Sequence, residues 1–264
     1  MENTEKKVLA INSMPAIGNA GLKMVMHILG TKVIPVPSLL LTGIGSIKGI
    51  KKYELPFKAL LKNTLLLLRE ANEKIIVYVG YLGDAKQINP IRDCLQEFKD
   101  IIDFVIVDPV CGDHGRAYVS SEIIENWGEL IAVSNLCLPN ITEVALLTGN
   151  IDHFDIAKSE SYIEAFTSKF KNTRLIVTSV DEGQHLSNKL LVKDTLFESK
   201  HEKVPKNYGG SGDAFASYLI DFHFFQKMPL YQAMEQAGEM VRKDIIFSME
   251  RSESFLMLRG KSEI

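Results

Sequence analysis

Five short runs of consecutive apolar residues punctuate the chain: Val8-Leu9-Ala10-Ile11, Val33-Ile34-Pro35-Val36, Ile75-Ile76-Val77-Tyr78-Val79, Phe104-Val105-Ile106-Val107 and Leu175-Ile176-Val177-Thr178. They are rich in β-branched residues and show no polar alternation, a pattern that suits strands covered on both faces of a parallel sheet. Between them, Ala20–Leu29, Pro90–Asp100 and Ser159–Phe170 have helical character. Strand and helix in alternation predict an α/β fold, a three-layer, doubly wound, mostly parallel central sheet flanked by helices. No repeat, low-complexity tract or Pro/Gly/Ser linker interrupts the pattern, so one domain spanning residues 1–264 is expected.

Open parallel sheets bind ligands beyond the carboxyl ends of their strands. Asn12-Ser13 follows the first apolar run, Gly80-Tyr81 the third, Asp108 the fourth, and Thr178-Ser179 a later one. The fold thereby gathers these polar residues on one edge, which favours an enzyme.

Composition narrows the partners. A chain of 264 residues with 46% hydrophobic and 24% charged residues can bury a sizeable core without staples or metals. Its net charge of -3 gives no electrostatic reason for a nucleic-acid partner, and the basic run Lys48–Lys52 reads as a solvated loop. Cys94, Cys111 and Cys137 are widely spaced and odd in number, with no zinc spacing, so disulfide scaffolds and structural zinc are not expected. Met1–Lys7 lacks the apolar core of a signal peptide, and no apolar run approaches the roughly 20 residues of a membrane helix. A cytoplasmic protein without a membrane partner is the expectation.

Three segments carry candidate chemistry. In Tyr208-Gly209-Gly210-Ser211-Gly212-Asp213 a glycine turn enters an apolar helical stretch. Backbone N–H groups at such a turn form an anion nest, reinforced by the helix dipole. A carboxylate on the first helical turn could accept a proton there, with its pKa expected to be lowered by the dipole. A weak base suffices for phosphoryl transfer, whose loose transition state needs positioning above all. A simple helix cap accounts for Asp213 equally well on spacing alone. In Asp108-Pro109-Val110-Cys111-Gly112-Asp113, two carboxylates five apart could hold hydrated Mg²⁺, although Asp-Pro and Gly-Asp are also ordinary turn pairs. In Pro139-Asn140-Ile141-Thr142-Glu143, Asn140 and Glu143 have N-cap and N3 spacing, which capping alone explains.

Other patterns fail. Gly43-Ile44-Gly45-Ser46-Ile47-Lys48 lacks the third glycine of a dinucleotide fingerprint, and no Walker A sequence occurs. Gly209-Gly210-Ser211-Gly212-Asp213 breaks the nucleophile-elbow pattern at its last position. His114, His185 and His201 lack an HExxH context and read as surface or turn residues.

Taken in order, these segments resemble the ribokinase-like superfamily, and in particular its pyridoxal/pyridoxamine kinase branch. Val79-Gly80-Tyr81-Leu82-Gly83 is similar to that branch's S/T-G-Y/F-L-G stretch. Asp108–Asp113 matches D-P-V-x-G-D, continuing through Gly115 and Tyr118. Pro139-Asn140, Glu143 and Leu147-Thr148-Gly149 match T-P-N-x-x-E-x-x-x-L-T-G, and Gly210-Ser211-Gly212-Asp213 matches G-T-G-D with Ser for Thr. Ile11-Asn12-Ser13 with Gly18 and Gly21 resembles the N-terminal substrate region.

The resemblance implies ATP-dependent phosphorylation of the 5′-hydroxymethyl group of a vitamin B6 vitamer. Asp213 would be the base, with the amides of Gly210, Ser211 and Gly212 as anion hole. Asp108, Asp113 and Glu143 would organise Mg²⁺, while Asn140, Glu143, Thr178 and Ser179 would handle ATP. Ser13, Tyr81 and Thr42 would touch the pyridine ring, and Gly112–Tyr118 would form a short lid. It also implies a homodimer and leaves a monovalent-cation requirement open.

The departures lie mainly in the substrate half. Leu41-Thr42-Gly43-Ile44-Gly45 stands where S-N-H-T-G is usual, Gly18-Asn19-Ala20-Gly21-Leu22 lacks the Asn of G-x-x-G-N, and Leu138 replaces Thr before Pro-Asn. Hydroxymethylpyrimidine (phosphate) kinase is the alternative within the superfamily; that branch usually carries Cys at the catalytic position and G-G-H after the late strand, where this chain has Asp213 and Thr178-Ser179-Val180. A non-catalytic ligand-binding relative is the alternative outside enzymes.

Overall fold

The structure is a computed structural model that describes residues 6–192 and 195–259. Its strands are β1 (Lys7–Ile17), β2 (Val33–Gly43), β3 (Lys52–Tyr53), β4 (Ile75–Val79), β5 (Ile102–Val107), β6 (Gly112–Asp113), β7 (Arg116–Ala117), β8 (Leu136–Cys137), β9 (Arg174–Asp181), β10 (His185–Val192) and β11 (Thr195–Glu202). Its helices are α1 (Leu22–Leu29), α2 (Phe57–Glu70), α3 (Ile88–Glu97), α4 (Ser121–Ile131), α5 (Ile141–Leu147), α6 (Ser159–Lys169), α7 (Ser211–Ile220) and α8 (Leu230–Glu250). All five predicted strands and all three predicted helices are present, with helix ends moved by at most three residues.

Nine strands form one sheet in the order β11-β10-β9-β8-β5-β4-β1-β2-β3. The six from β9 to β2 are parallel; β10 and β3 run against them at the margins, and β11 pairs antiparallel with β10. The continuous apolar runs have a direct cause. In β4, Ile75, Val77 and Val79 face one core while Ile76 and Tyr78 face the other. A strand buried on both faces has no solvent side on which to place polar residues. Helices α2 to α6 cover the first face; α1, α7 and α8 cover the second.

The margin strands escape the hydrophobic reading for the same reason. Every residue of β11 except the half-buried Ser199 and His201 faces solvent, so Thr195–Glu202 carries no long apolar run. Strand β8 is only two residues long, below the length at which periodicity exists.

Topology places the functional edge. From β1 the chain crosses to β2 on one side, then returns to β4 on the other. The carboxyl ends of β1 and β4 therefore diverge at a topological switch point, where a crevice opens. A β-bulge between Asn12 and Met14 shifts the β1–β2 register at that spot and re-aims the chain.

Candidate active site

Asn12, at the switch point, is 1% exposed. Its Oδ1 accepts the backbone N–H of Ser13 at 2.7 Å and of Tyr81 at 3.1 Å, and its Nδ2 donates to Asp213 Oδ1 at 2.8 Å. Close packing of this side chain requires glycine at position 80, where a Cβ would overlap the Asn12 amide. The other Asp213 oxygen, Oδ2, accepts the Gly21 N–H at 2.7 Å. Asp213 thus sits on the first turn of α7 with both oxygens held.

The turn before α7 explains its glycines. Gly210 has φ 93°, a left-handed conformation, and a Cβ there would strike the Asn19 carbonyl and Ala20. Gly212, by contrast, is exposed, with open space where a Cβ would stand, and lies in the first turn of α7, where N–H groups have no intrahelical acceptor and suit an anion. The expected pKa of Asp213 needs correcting. Burial pushes it above the ordinary carboxylate value, and the Gly21 and Asn12 hydrogen bonds only partly offset that. Desolvation is the largest influence, with the side chain drawn to Asn12 of β1 and to the Gly21 amide.

Two further carboxylates approach from β5 and α5. Asp108 is buried and accepts the Tyr78 hydroxyl at 3.1 Å; burial first, then the Asp213 charge, push its pKa up, with the Tyr78 bond acting against them. Glu143 is 3% exposed, accepting the Cys111 N–H with Oε1 and the Asn140 N–H with Oε2, each at 2.9 Å. Asn140 Oδ1 accepts the Glu143 N–H in return at 3.0 Å, completing the capping box read from the spacing, while its Nδ2 reaches the Gly112 carbonyl at 2.9 Å. These bonds weld the loop after β5 to the start of α5. Burial and the Asp108 charge raise the Glu143 pKa against the pull of those amides.

The expected metal set of Asp108, Asp113 and Glu143 is not brought together. Asp113 lies outward on β6, its Oδ1 accepting the His114 N–H at 2.8 Å. Strand alternation turns Gly112 inward and Asp113 to solvent. Among the described residues no three His, Cys, Asp or Glu side chains converge as a ligand set. The expected lid, Gly112–Tyr118, is a small β6–β7 hairpin whose turn residues, His114 and Gly115, both have positive φ. Its tip meets Asn207 through His114 Nε2 at 3.1 Å.

Thr178 and Ser179 lie within β9 rather than after it, and line a cleft of about 100 Å³ together with Asn188, Asn207, Ser211 and Gly212. Ser179 has φ 56° and donates its N–H to Asn188 Oδ1 at 3.0 Å. His201, read as a surface residue, also lines this cleft, and burial lowers its pKa. Phe215, Val241 and Ile245 give it an apolar wall, so the cleft runs from a flat apolar end to the Gly212 amide.

Ser13 is buried beside Gly21, where a Cβ would overlap the Ser13 carbonyl. Tyr81 is half-buried, its hydroxyl accepting from Lys52 Nζ at 3.0 Å and its carbonyl from Ser38 Oγ at 2.7 Å. Lys52 is the exposed first residue of β3, and Lys48–Lys51 form the loop that precedes it. The Thr42 hydroxyl accepts the Lys51 N–H at 2.9 Å and closes the β2–β3 hairpin. Sequence reasoning left Asn12, Tyr78, Asn188 and Lys52 without roles. Asn12 alone had a signal, its place directly after the apolar run Val8–Ile11.

A sequence model of the Phosphomethylpyrimidine kinase family matches residues 48–256. The chain belongs to that family. Its members are ATP-dependent kinases with the ribokinase-like fold. The pyridoxal kinase of Arabidopsis thaliana is 25% identical over 235 residues, covering 81% of this chain and 73% of its own length. Among solved structures, pyridoxal kinase from Entamoeba histolytica superposes with a TM-score of 0.83 at 20% identity, covering 97% of this chain and 93% of that one. Pyridoxal kinase from Leishmania donovani in complex with ADP and pyridoxamine gives a TM-score of 0.81 at 21% identity, covering 98% and 92%. These likenesses establish the expected three-layer doubly wound fold. The family match begins after β2, so Asn12, Ser13 and Gly21 lie outside it. Among the described residues no helix is long and apolar enough to cross a membrane.

Proposed function

We propose that this protein transfers the γ-phosphoryl group of ATP to the 5′-hydroxymethyl group of a vitamin B6 vitamer. The observation that carries the reading is the Asp213 carboxylate, oriented by Asn12 and Gly21 within reach of the open Gly212 amide. Support for the acceptor comes from the pyridoxal kinases among the relatives and structural neighbours.

In this reading the nucleotide lies in the cleft past Thr178 and Ser179 with its phosphates at Ser211 and Gly212. The acceptor ring lies between Ser13 and Tyr81. Asp213 takes the hydroxyl proton as the substrate oxygen bonds to the γ-phosphorus. The bond from phosphorus to the β,γ-bridging oxygen breaks, and ADP leaves with that electron pair. A carboxylate whose pKa is raised by burial is a better proton acceptor than an exposed one. The turn amides meet the charge on the transferring group.

The donor set fits Mg²⁺ in a limited way. Asp108 and Glu143 are buried, mutually repelling carboxylates with no ion-pair partner among the described residues. A divalent cation would offset that charge. Without three converging side chains, the ion fits as a hydrated species carried with the nucleotide phosphates, near Asp108 and Glu143. When bound it supplies charge neutralisation on the phosphates.

A second reading, hydroxymethylpyrimidine kinase, is favoured by the name of the matching family. One experiment separates them: Mg²⁺-dependent ADP release with pyridoxal, pyridoxamine, pyridoxine and hydroxymethylpyrimidine, with product identified by mass. Phosphorylation of at least one vitamer is expected. Turnover of the pyrimidine alone would replace this reading with the second, and binding without turnover across the panel would overturn both.

A further inference from the structure

After α8 the chain doubles back, and residues 252–259 run as an irregular segment along the outside of the glycine turns. Three contacts pin it. Leu256 is fully buried in the second core, and Ser248 Oγ accepts the Met257 N–H at 2.8 Å. Arg259 Nε donates to Asp244 Oδ1 at 3.0 Å, while Tyr218 donates its hydroxyl to Asp244 Oδ2 at 2.7 Å. Asp244 is fully buried, and a carboxylate so removed from water is held in place by partners of this kind.

Along the pinned stretch, two carbonyls reach the two halves of the site. The Leu256 carbonyl accepts Asn19 Nδ2 at 2.9 Å. The Glu253 carbonyl accepts the Tyr208 hydroxyl at 3.2 Å and Lys206 Nζ at 3.0 Å. Asn19 begins the short stretch whose Gly21 N–H holds Asp213, and its own carbonyl lies against Gly210. Tyr208 begins the turn that supplies the Gly212 amide. One segment therefore grips both walls of the reacting centre, its Leu256 lying 237 residues along the chain from Asn19.

We propose that residues 252–259 form a strap and that Asn19 is the positioning residue through which it acts on phosphoryl transfer. The Leu256 carbonyl fixes the Asn19 side chain, Asn19 keeps residues 19–21 seated on Gly210, and the Gly21 N–H stays on Asp213 Oδ2. Asn19 touches no reacting atom in this scheme. The inference rests on the proposed role of Asp213. Its energetic logic is that one hydrogen bond contributes little to global stability, whereas a small displacement of a reacting group costs far more in rate.

The test compares full-length wild type with Asn19→Ala and Asn19→Gln, using ATP and pyridoxal as substrates. Three quantities are read: hydrogen exchange of the Gly21 amide, the thermal midpoint, and kcat alongside the KM for ATP. For Asn19→Ala, Gly21 exchange should accelerate and kcat should fall, each by about tenfold or more, with the KM for ATP within about twofold. Asn19→Gln, which keeps an amide donor, should restore part of both. Unchanged Gly21 protection in Asn19→Ala overturns the strap, as does a lowered midpoint with unchanged kcat in the folded enzyme. If wild type turns over neither pyridoxal nor another acceptor, the proposed function fails, and Gly21 exchange still decides whether Asn19 positions the turn.

Discussion

The Asn12 side-chain amide donates to Asp213 across 201 residues of sequence, joining the bulge of β1 to the first turn of α7. Its carbonyl oxygen holds the amides of Ser13 and Tyr81, so one side chain aligns three elements. Asn12→Ala leaves two buried donors without their acceptor. The expected loss is about 1–3 kcal/mol of stability, set by the cost of stranding buried polar groups. Turnover should fall by about tenfold or more as the carboxylate loosens. Denaturant midpoints and steady-state rates measure the two effects, and a variant with wild-type kcat would remove Asn12 from the alignment.

Asp213→Asn separates catalysis from stability. Turnover should drop by roughly 10²-fold or more, the scale of removing a general base, while ATP affinity is largely kept. Stability should move the other way. A half-buried carboxylate whose pKa desolvation raises favours the protonated form, so its contribution is greatest below the ordinary carboxylate range and is lost as pH rises through the raised value. Asp108 and Glu143 act in the same direction. Without Mg²⁺ the wild type should therefore lose stability from mildly acidic toward neutral pH, and Asp213→Asn should flatten that decline. Thermal midpoints across pH provide the comparison; parallel curves would show that Asp213 does not contribute.

Glu143→Gln tests the α5 junction. The carboxylate oxygens accept two separate buried amides, and glutamine offers only one oxygen acceptor. One amide is left facing an NH₂ group, which should cost about 1–3 kcal/mol. The lost charge should also raise the Mg²⁺ concentration needed for half-maximal activity. A Mg²⁺ titration that is superimposable on wild type would leave Glu143 a helix cap alone.

Gly210→Ala and Gly212→Ala should fail differently although they stand two residues apart. At Gly210 the methyl group meets the Asn19 carbonyl in a left-handed conformation, so the thermal midpoint and kcat should both fall. At Gly212 the methyl group enters open space, leaving the midpoint near wild type while obstructing the approach of phosphates. The KM for ATP should rise there. Thermal scans and ATP saturation curves decide, and equal effects at the two positions would contradict the distinction.

Local pattern accounts for much of this protein. The buried strands were legible because Ile75–Val79 and its counterparts feed two cores at once, which forces unbroken apolar runs. The Asn140–Glu143 capping box was legible because both partners lie within one helical turn. The glycines before Asp213 announced a tight turn for the same reason of proximity. What lay outside the reach of the sequence is everything set by contacts between distant segments. The raised pKa of Asp213 follows from which strand it faces, not from its place on a helix. Asp113 stayed out of the site because a two-residue strand turned it to solvent. Asn12, the 19–21 stretch and the 252–259 strap met only when β1, α7 and α8 packed together. Spacing along the chain constrains neighbours within a turn or two; folding alone determines which of two separated carboxylates is desolvated and which amide points at it.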